Sequence, residues 1–477
     1  MSLSASTAEP PAGRATAWLS EGLESLVRQL PLLGTPEGFH FDVVVVGSGY
    51  GGAVAAAELA GAACGGRPLS VCVLERGREY LGGMFPSRLA ELPRQVRFTT
   101  CRSPAPQGTR VGLYDVRAGA DVHAVAASGL GGGSLINAGV MALPLDAVFA
   151  EPAWPLALRG GVAAQARRLL PLLGAQPLAG TVASAKFEVL RKLGAGHRVE
   201  PLPITVAGGG TTQSSARVAM AACHGCGDCA SGCNHGAKQS LDLGLLASAH
   251  AAGARLYTGA TVQHLEPRPG AVRGWTLHLA HTDERLRRRQ VNPPLIAVTA
   301  RRVILAAGTL GSTEILLRTA RRRSDVRFSG RLGKGFSANG DMLAMLSDTA
   351  QPADALADEA MDPRRGAGRG VGPTITGMVD LRRGDPDTDM VVQDLAVPGP
   401  LARLFAELVT TSACFADLAE PDLRRHGGPG PDAAAVDPQR LRHALAVAVI
   451  GRDSAAGELR WPEGADGPMD DGVLQVH

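Results

Sequence analysis

Three glycines and one acid carry the first chemical signal. Gly47, Gly49 and Gly52 stand in G-x-G-x-x-G register directly behind the run FDVVVVG at 41–47, where a chain must turn sharply and let main-chain amides approach a pyrophosphate. A side chain at Gly49 would block that approach. The alanine-rich stretch that follows would aim the positive end of a helix at the phosphates. Glu75 closes the next apolar run and is placed for a ribose hydroxyl. The glycine spacing is weak evidence by itself; strand, helix and acid in this order predict a dinucleotide site.

A second set of reactive residues is Cys223, Cys226, Cys229 and Cys233, in the pattern C-x2-C-x2-C-x3-C. Short loops with this spacing fold thiolates around an iron–sulfur cluster. Asn234 stands where the ferredoxin pattern has proline, and a single run leaves the fourth ligand open. Structural zinc, which usually takes two knuckles farther apart, and reduced thiols without metal are the competing readings.

The elements that must position these residues can be traced along the chain. Four consecutive valines suit a strand buried on both faces, Gly51–Ala63 reads as a helix and Leu69–Leu74 as a second strand, which together make a βαβ unit. The run RRVILAAGTLGSTEILLR at 301–318 repeats strand, glycine turn and helix far downstream, so the nucleotide domain is expected to be discontinuous. The expected fold class is mixed α/β, a Rossmann-type domain beside a second, sheet-based domain. The expected division is an arm over 1–38, a nucleotide domain over 39–90 and 240–345, a loop and cysteine region over 91–239 holding part of the second domain, and the rest of that domain over 346–477. Within the arm, Trp18–Leu33 reads as one amphipathic helix. The second domain's strand candidates are 374–380, 390–397 and 444–450.

Composition excludes several classes. With 48 basic against 45 acidic side chains and 4% aromatic residues, nucleic acid is not the expected partner. The runs Arg285–Arg289 and Arg318–Arg323 read as solvated faces. No secretory signal or bilayer-length apolar stretch is evident, and eight cysteines with four in one loop do not form a secreted disulfide framework. A cytoplasmic location is expected, with a peripheral membrane contact left open.

Three blocks carry a family resemblance: LERGREY, which contains Glu75 and Arg76, SGLGGGSLINAG at 128–139, and AAGTLGSTEILL at 306–317. Together they resemble the glucose-methanol-choline oxidoreductases, in particular their bacterial cholesterol-oxidase-like branch. The resemblance implies FAD, and oxidation of an alcohol, sterol-like or otherwise hydrophobic, with electrons passing to oxygen, a quinone, a dye or a redox protein. It also implies that Gly131, Gly132, Gly133 and Ser134 form a loop over the diphosphate and flavin edge, with Asn137 near the flavin, Val262 against adenine, and Gly308 to Gly311 approaching from the far strand. Some sugar dehydrogenases of the superfamily hold an iron–sulfur cluster near the position of the cysteine run.

The family's catalytic C-terminal blocks, His-Pro-x-Gly-Gly, Asp-Gly-Ser and an Asn-Pro helix start, do not occur in the sequence. Three expectations follow: a truncated chain, which is favoured, a complementing C-terminal polypeptide, or a silent FAD-binding or electron-transfer subunit. The segment VVQDLAVPG at 391–399 resembles the strand that presents a carboxylate to the substrate hydroxyl, making Asp394 a catalytic candidate that competes with a surface carboxylate. His426, beside Gly427 and Gly428, reads as a loop histidine.

Overall fold

The valine run forms strand Phe41–Val46, buried along its whole length. Val44 and Val46 face one hydrophobic cluster, while Val43 and Val45 face another, as the two-residue period of a strand covered on both sides requires. The computed structural model describes residues 18–477 apart from 101–104, 121, 153, 179–183, 210–212, 271, 290–294, 358–369, 386, 420–436 and 463–472.

Around this strand lies a seven-stranded sheet. Its order is Glu21–Gly22, Arg255–Thr258, Val71–Leu74, Phe41–Val46, Ile296–Leu305, Gly274–His281 and Ala260–Arg268. The first five strands run parallel, and the last two add an antiparallel hairpin. Helix Tyr50–Leu59 follows the central strand, shorter than expected because a small hairpin of Ala63–Cys64 and Arg67–Pro68 takes up the chain. Helix Gly308–Arg322 follows Ile296–Leu305, so the distant strand, turn and helix do complete the sheet.

The stretch Trp18–Leu33, expected as one helix in an arm ahead of the fold, is part of the core instead. Glu21–Gly22 supplies an edge strand parallel to Arg255–Thr258, and helix Leu23–Gln29 buries Leu23 and Leu26 beneath the sheet. The carboxylate of Glu79 accepts the N–H of Leu19 (2.7 Å) and of Ser20 (2.8 Å) and the Ser20 hydroxyl (2.6 Å).

A second, antiparallel sheet runs Arg198–Pro201, Gly377–Asp380, Val391–Leu395, Leu445–Ile450 and Met342–Leu346. All three strand candidates beyond 346 are found there with trimmed ends. Met342–Leu346 also belongs to this sheet, although the sequence division leaves most of it in the nucleotide domain. It is an edge strand, and Met342 and Leu343 are exposed. The basic runs are less solvated than expected: Arg287 and Arg318 are buried, Arg318 bonding Gln263 and Glu314 under the Trp461 ring. Among the described residues no helix is long and apolar enough to cross a membrane.

The central strand is held at its start by charge. Asp42 receives both terminal nitrogens of Arg67 (2.6 and 2.7 Å) and the N–H and hydroxyl of Ser70 (2.8 Å each). The Arg67 guanidinium, with the Ser70 bonds, holds this carboxyl down at about 2 against an ordinary value of 3.8. A folded value below the unfolded one means that the stabilisation is present above pH ~4 and is lost as pH falls towards about 2. Screening at the partly exposed Arg67 limits it to about 1–2 kcal/mol. Asp42→Asn is therefore expected to lower stability by that order at neutral pH and to flatten the acid limb, read from urea midpoints between pH 2 and 7.

Candidate functional site

The site grows from the turn that leaves strand Phe41–Val46. Gly47 has φ +97°, and an added Cβ would lie 2.4 Å from the Ala306 carbonyl oxygen. At Gly52 a Cβ would lie 2.0 Å from the Gly47 oxygen, so that glycine lets the helix pack on the turn. Gly49 differs: a Cβ there would meet no protein atom within 4 Å, because it would project into a cleft of about 670 Å³. That volume falls within the roughly 300–1,000 Å³ of cofactor and small-molecule sites.

The second glycine loop closes on the first. A Cβ on Gly132 would lie 2.8 Å from Gly49 Cα, whereas Gly133 and Gly308 again open onto empty space. Gly47, Gly49, Glu75, Arg76, Gly132, Gly133, Asn137, Val262, Gly308 and Gly311 all line the cleft. These residues come from five separate segments. Bare main chain at Gly49, Gly133 and Gly308 fits a flat, phosphate-bearing ligand, since side chains there would occupy its space. Gly52, Gly131 and Ser134 do not line the cleft: the Ser134 hydroxyl donates to the Gly131 carbonyl (2.7 Å) and accepts Leu241 N–H (3.0 Å), which makes it a prop for the loop.

The residue joining the parts is Ser48, which the glycine pattern leaves unspecified. Its buried hydroxyl donates to Glu75 Oε2 (2.5 Å) and accepts Gly131 N–H (3.0 Å). Glu75 also accepts Ser48 N–H (3.1 Å) and, through Oε1, Gly77 N–H (2.8 Å). A carboxylate has about four acceptor positions, so capacity for a ribose hydroxyl remains. Asn137 donates to the Tyr50 hydroxyl (2.7 Å) and accepts Gly139 N–H (3.1 Å), tying loop to helix. Burial raises Tyr50 above the usual phenol range.

The opposite wall was not signalled by any motif. Asp115 is buried with Arg76 (2.8 Å) and Arg117 (2.9 Å). Burial pushes its carboxyl up, but Arg117, Arg76 and Arg97 together outweigh that and hold it well below the usual range. Asp242 lies under the second glycine loop, and burial pushes it up to about 6.

Asp394 does not reach the cleft. It is completely buried in the second sheet, paired with Lys186 and accepting the Thr376 hydroxyl (2.6 Å), Thr376 N–H (2.9 Å) and Gly377 N–H (2.7 Å). Every oxygen is engaged, so it is neither a base facing a substrate nor a surface carboxylate. His426 lies outside the described residues.

The four cysteines do sit in one loop but divide between environments. Cys229 is buried in an apolar cluster with Leu202, Ile204, Val206, Ile375 and Met378, and Cys223 packs against the same cluster. The cavity that all four border is about 10 Å³, the space of about one water molecule. Lys238 connects this loop to the cleft: its buried ammonium donates to the carbonyls of Cys229 (3.0 Å), Leu135 (3.2 Å) and Asn137 (2.6 Å).

Residues 41–337, more than half of the chain, match the family model described as GMC oxidoreductase. A cholesterol oxidase of Mycobacterium tuberculosis (strain CDC 1551 / Oshkosh) is 29% identical over 314 residues, 61% of this chain and 50% of the relative. A cholesterol oxidase of Acinetobacter baumannii is 25% identical over 330 residues, 65% of this chain and 56% of the relative. The chain thus spans about half the length of the curated relatives it matches. The crystal structure of pyridoxine 4-oxidase from Mesorbium loti superposes with a TM-score of 0.49 at 16% identity, covering 92% of this chain and 75% of that one.

Lys238→Met is expected to leave three carbonyls without their donor and to cost about 1–3 kcal/mol. Hydrogen exchange should show faster amide exchange in both 131–137 and 223–233; acceleration in one segment alone would contradict the shared tie.

Proposed function

The chain belongs to the GMC oxidoreductases, and on that premise we propose that it holds FAD in the 670 Å³ cleft and serves the oxidation of an alcohol to a carbonyl. Members of this family bind FAD. The observation that carries the reading for this chain is the set of glycines, Gly49, Gly133 and Gly308, whose missing side chains leave the cleft open while Gly47 and Gly52 are required by the fold.

In this reading the main chain of 47–49 and the start of helix Tyr50–Leu59, whose first N–H groups have no partner within the helix, would hold the diphosphate. Glu75 would receive a ribose hydroxyl, Val262 would meet the adenine, and Gly132, Gly133, Asn137, Gly308 and Gly311, which line the same cleft, would hold the flavin. Bound FAD supplies a hydride acceptor. With such a group bound, the chemistry available at the cleft would be two-electron oxidation of an alcohol, with the electrons passing on to an external acceptor. Arg76 is turned to Asp115, so its part is to fix that wall. Lys186 and Thr376 keep Asp394 out of the proton transfer.

For the substrate we propose a bulky hydrophobic secondary alcohol of sterol type. Its support is the two cholesterol oxidases among the relatives. The second reading is an electron-transfer or assembly subunit, favoured by a cysteine loop bound to the flavin-side loop through one lysine.

The test is anaerobic. The purified protein should be yellow and should bleach on addition of a sterol-type alcohol; bleaching only with dithionite or a redox protein would select the relay, and bleaching with sugars alone would reject the sterol class. Gly49→Val should give colourless protein with stability changed by no more than about 0.5 kcal/mol, because its side chain meets only the cleft. A Gly49→Val protein that keeps its flavin would overturn the placement.

A further inference from the structure

The loop 223–235 has a chemistry the cleft does not use. It is fixed on several sides: Thr374 donates to the Gly227 carbonyl (2.9 Å), Gly372 N–H donates to the Gly225 carbonyl (3.0 Å), and Asp228 accepts Gly399 N–H (2.8 Å). Gly227 takes φ +86°, and the Asn234 side chain bonds Gly83 N–H (2.9 Å), Phe85 N–H (3.0 Å) and the Phe85 carbonyl (3.0 Å). A loop so constrained presents its side chains at set positions.

On its outer face the imidazoles of His224 and His235 meet edge to face, with ring centres 4.1 Å apart and planes at 88°. One nitrogen of each ring and the Cys226 sulfur all lie within 4.8 Å of one another. Around a tetrahedral ion with bonds of about 2.0–2.3 Å, donors stand roughly 3.3–3.8 Å apart. The trio can close to that spacing by side-chain rotation, since both histidines are exposed. Two imidazoles and a thiolate suit a borderline cation such as Zn²⁺ or Co²⁺, not oxygen-seeking Mg²⁺ or Ca²⁺.

The neighbouring thiols are differently employed. Cys223 and Cys229 pack with apolar side chains, and Cys233 accepts Ala237 N–H (3.4 Å). The other histidine group, His264 and His278 with Glu266, has Arg323 already on its carboxylate, which opposes a cation there.

We propose that His224, Cys226 and His235 form a mononuclear site for a zinc-type divalent cation, with a fourth position open to solvent. The imidazoles bind neutral, and the Cys226 thiol gives its proton to solvent as the Zn–S bond forms. The ion locks the outer face of the loop whose inner face Lys238 ties to 135–137. The site is independent of the flavin assignment, and its test does not use flavin.

The experiment titrates the chelator-treated full chain with Co²⁺ and records the visible spectrum. One equivalent should bind, with a thiolate-to-cobalt charge-transfer band. His224→Ala and His235→Ala should each weaken binding about tenfold or more. Cys226→Ser should abolish the charge-transfer band, and Cys223→Ser should keep it. Thermal midpoints of the metal-free variants should match the parent, which separates ligand loss from misfolding. Unchanged affinity in both histidine variants, loss of the band in Cys223→Ser, or several irons with acid-labile sulfide in anaerobically purified protein would each overturn the site.

Discussion

The spacing between two glycine loops is set by one hydroxyl. Ser48 sits between the Glu75 carboxylate and the Gly131 amide, so the end of one parallel strand, the turn after another and the loop 131–137 share a single buried joint. All three segments contribute to the lining of the cleft, and this joint fixes them to one another. A small polar side chain is needed at 48: its neighbours leave room for little more, and both partners would be costly to bury unsatisfied.

Lys238 performs a similar task one layer further out. It gathers three carbonyls from two loops that no strand pairing links. The ammonium is fully buried, and burial lowers its proton affinity to about 8. The cysteine loop and the flank of the cleft are thus one mechanical unit, even though about 90 residues separate them in the chain.

Much of this was legible in the sequence where the signal is local. Val43–Val46 announced a strand covered on both faces, and Gly47, Gly49 and Gly52 announced the turn, because both patterns lie within a dozen residues. The downstream repeat at 301–318 was legible for the same reason. What the local sequence does not encode depends on partners far away. Leu23 and Leu26 read as one side of a free helix until Arg255–Thr258 is placed beside Glu21–Gly22. Ser48 is an unspecified position in its motif, and Asp115 belongs to no motif. Asp394 was found by its strand context, yet its meaning is set by Lys186, 208 residues earlier. The cysteine spacing marks out the loop, whereas the convergence of the histidines interleaved at 224 and 235 with Cys226 is visible only in three dimensions.

The strand Met342–Leu346 closes the second sheet with apolar side chains facing water and, among the described residues, pairs only with Leu445–Ile450. A rim of this kind is adhesive: its free main-chain groups can receive another extended segment in register. Concentrated solutions of the isolated polypeptide would then associate through this border, and charged replacements at 342 and 343 would keep it dispersed.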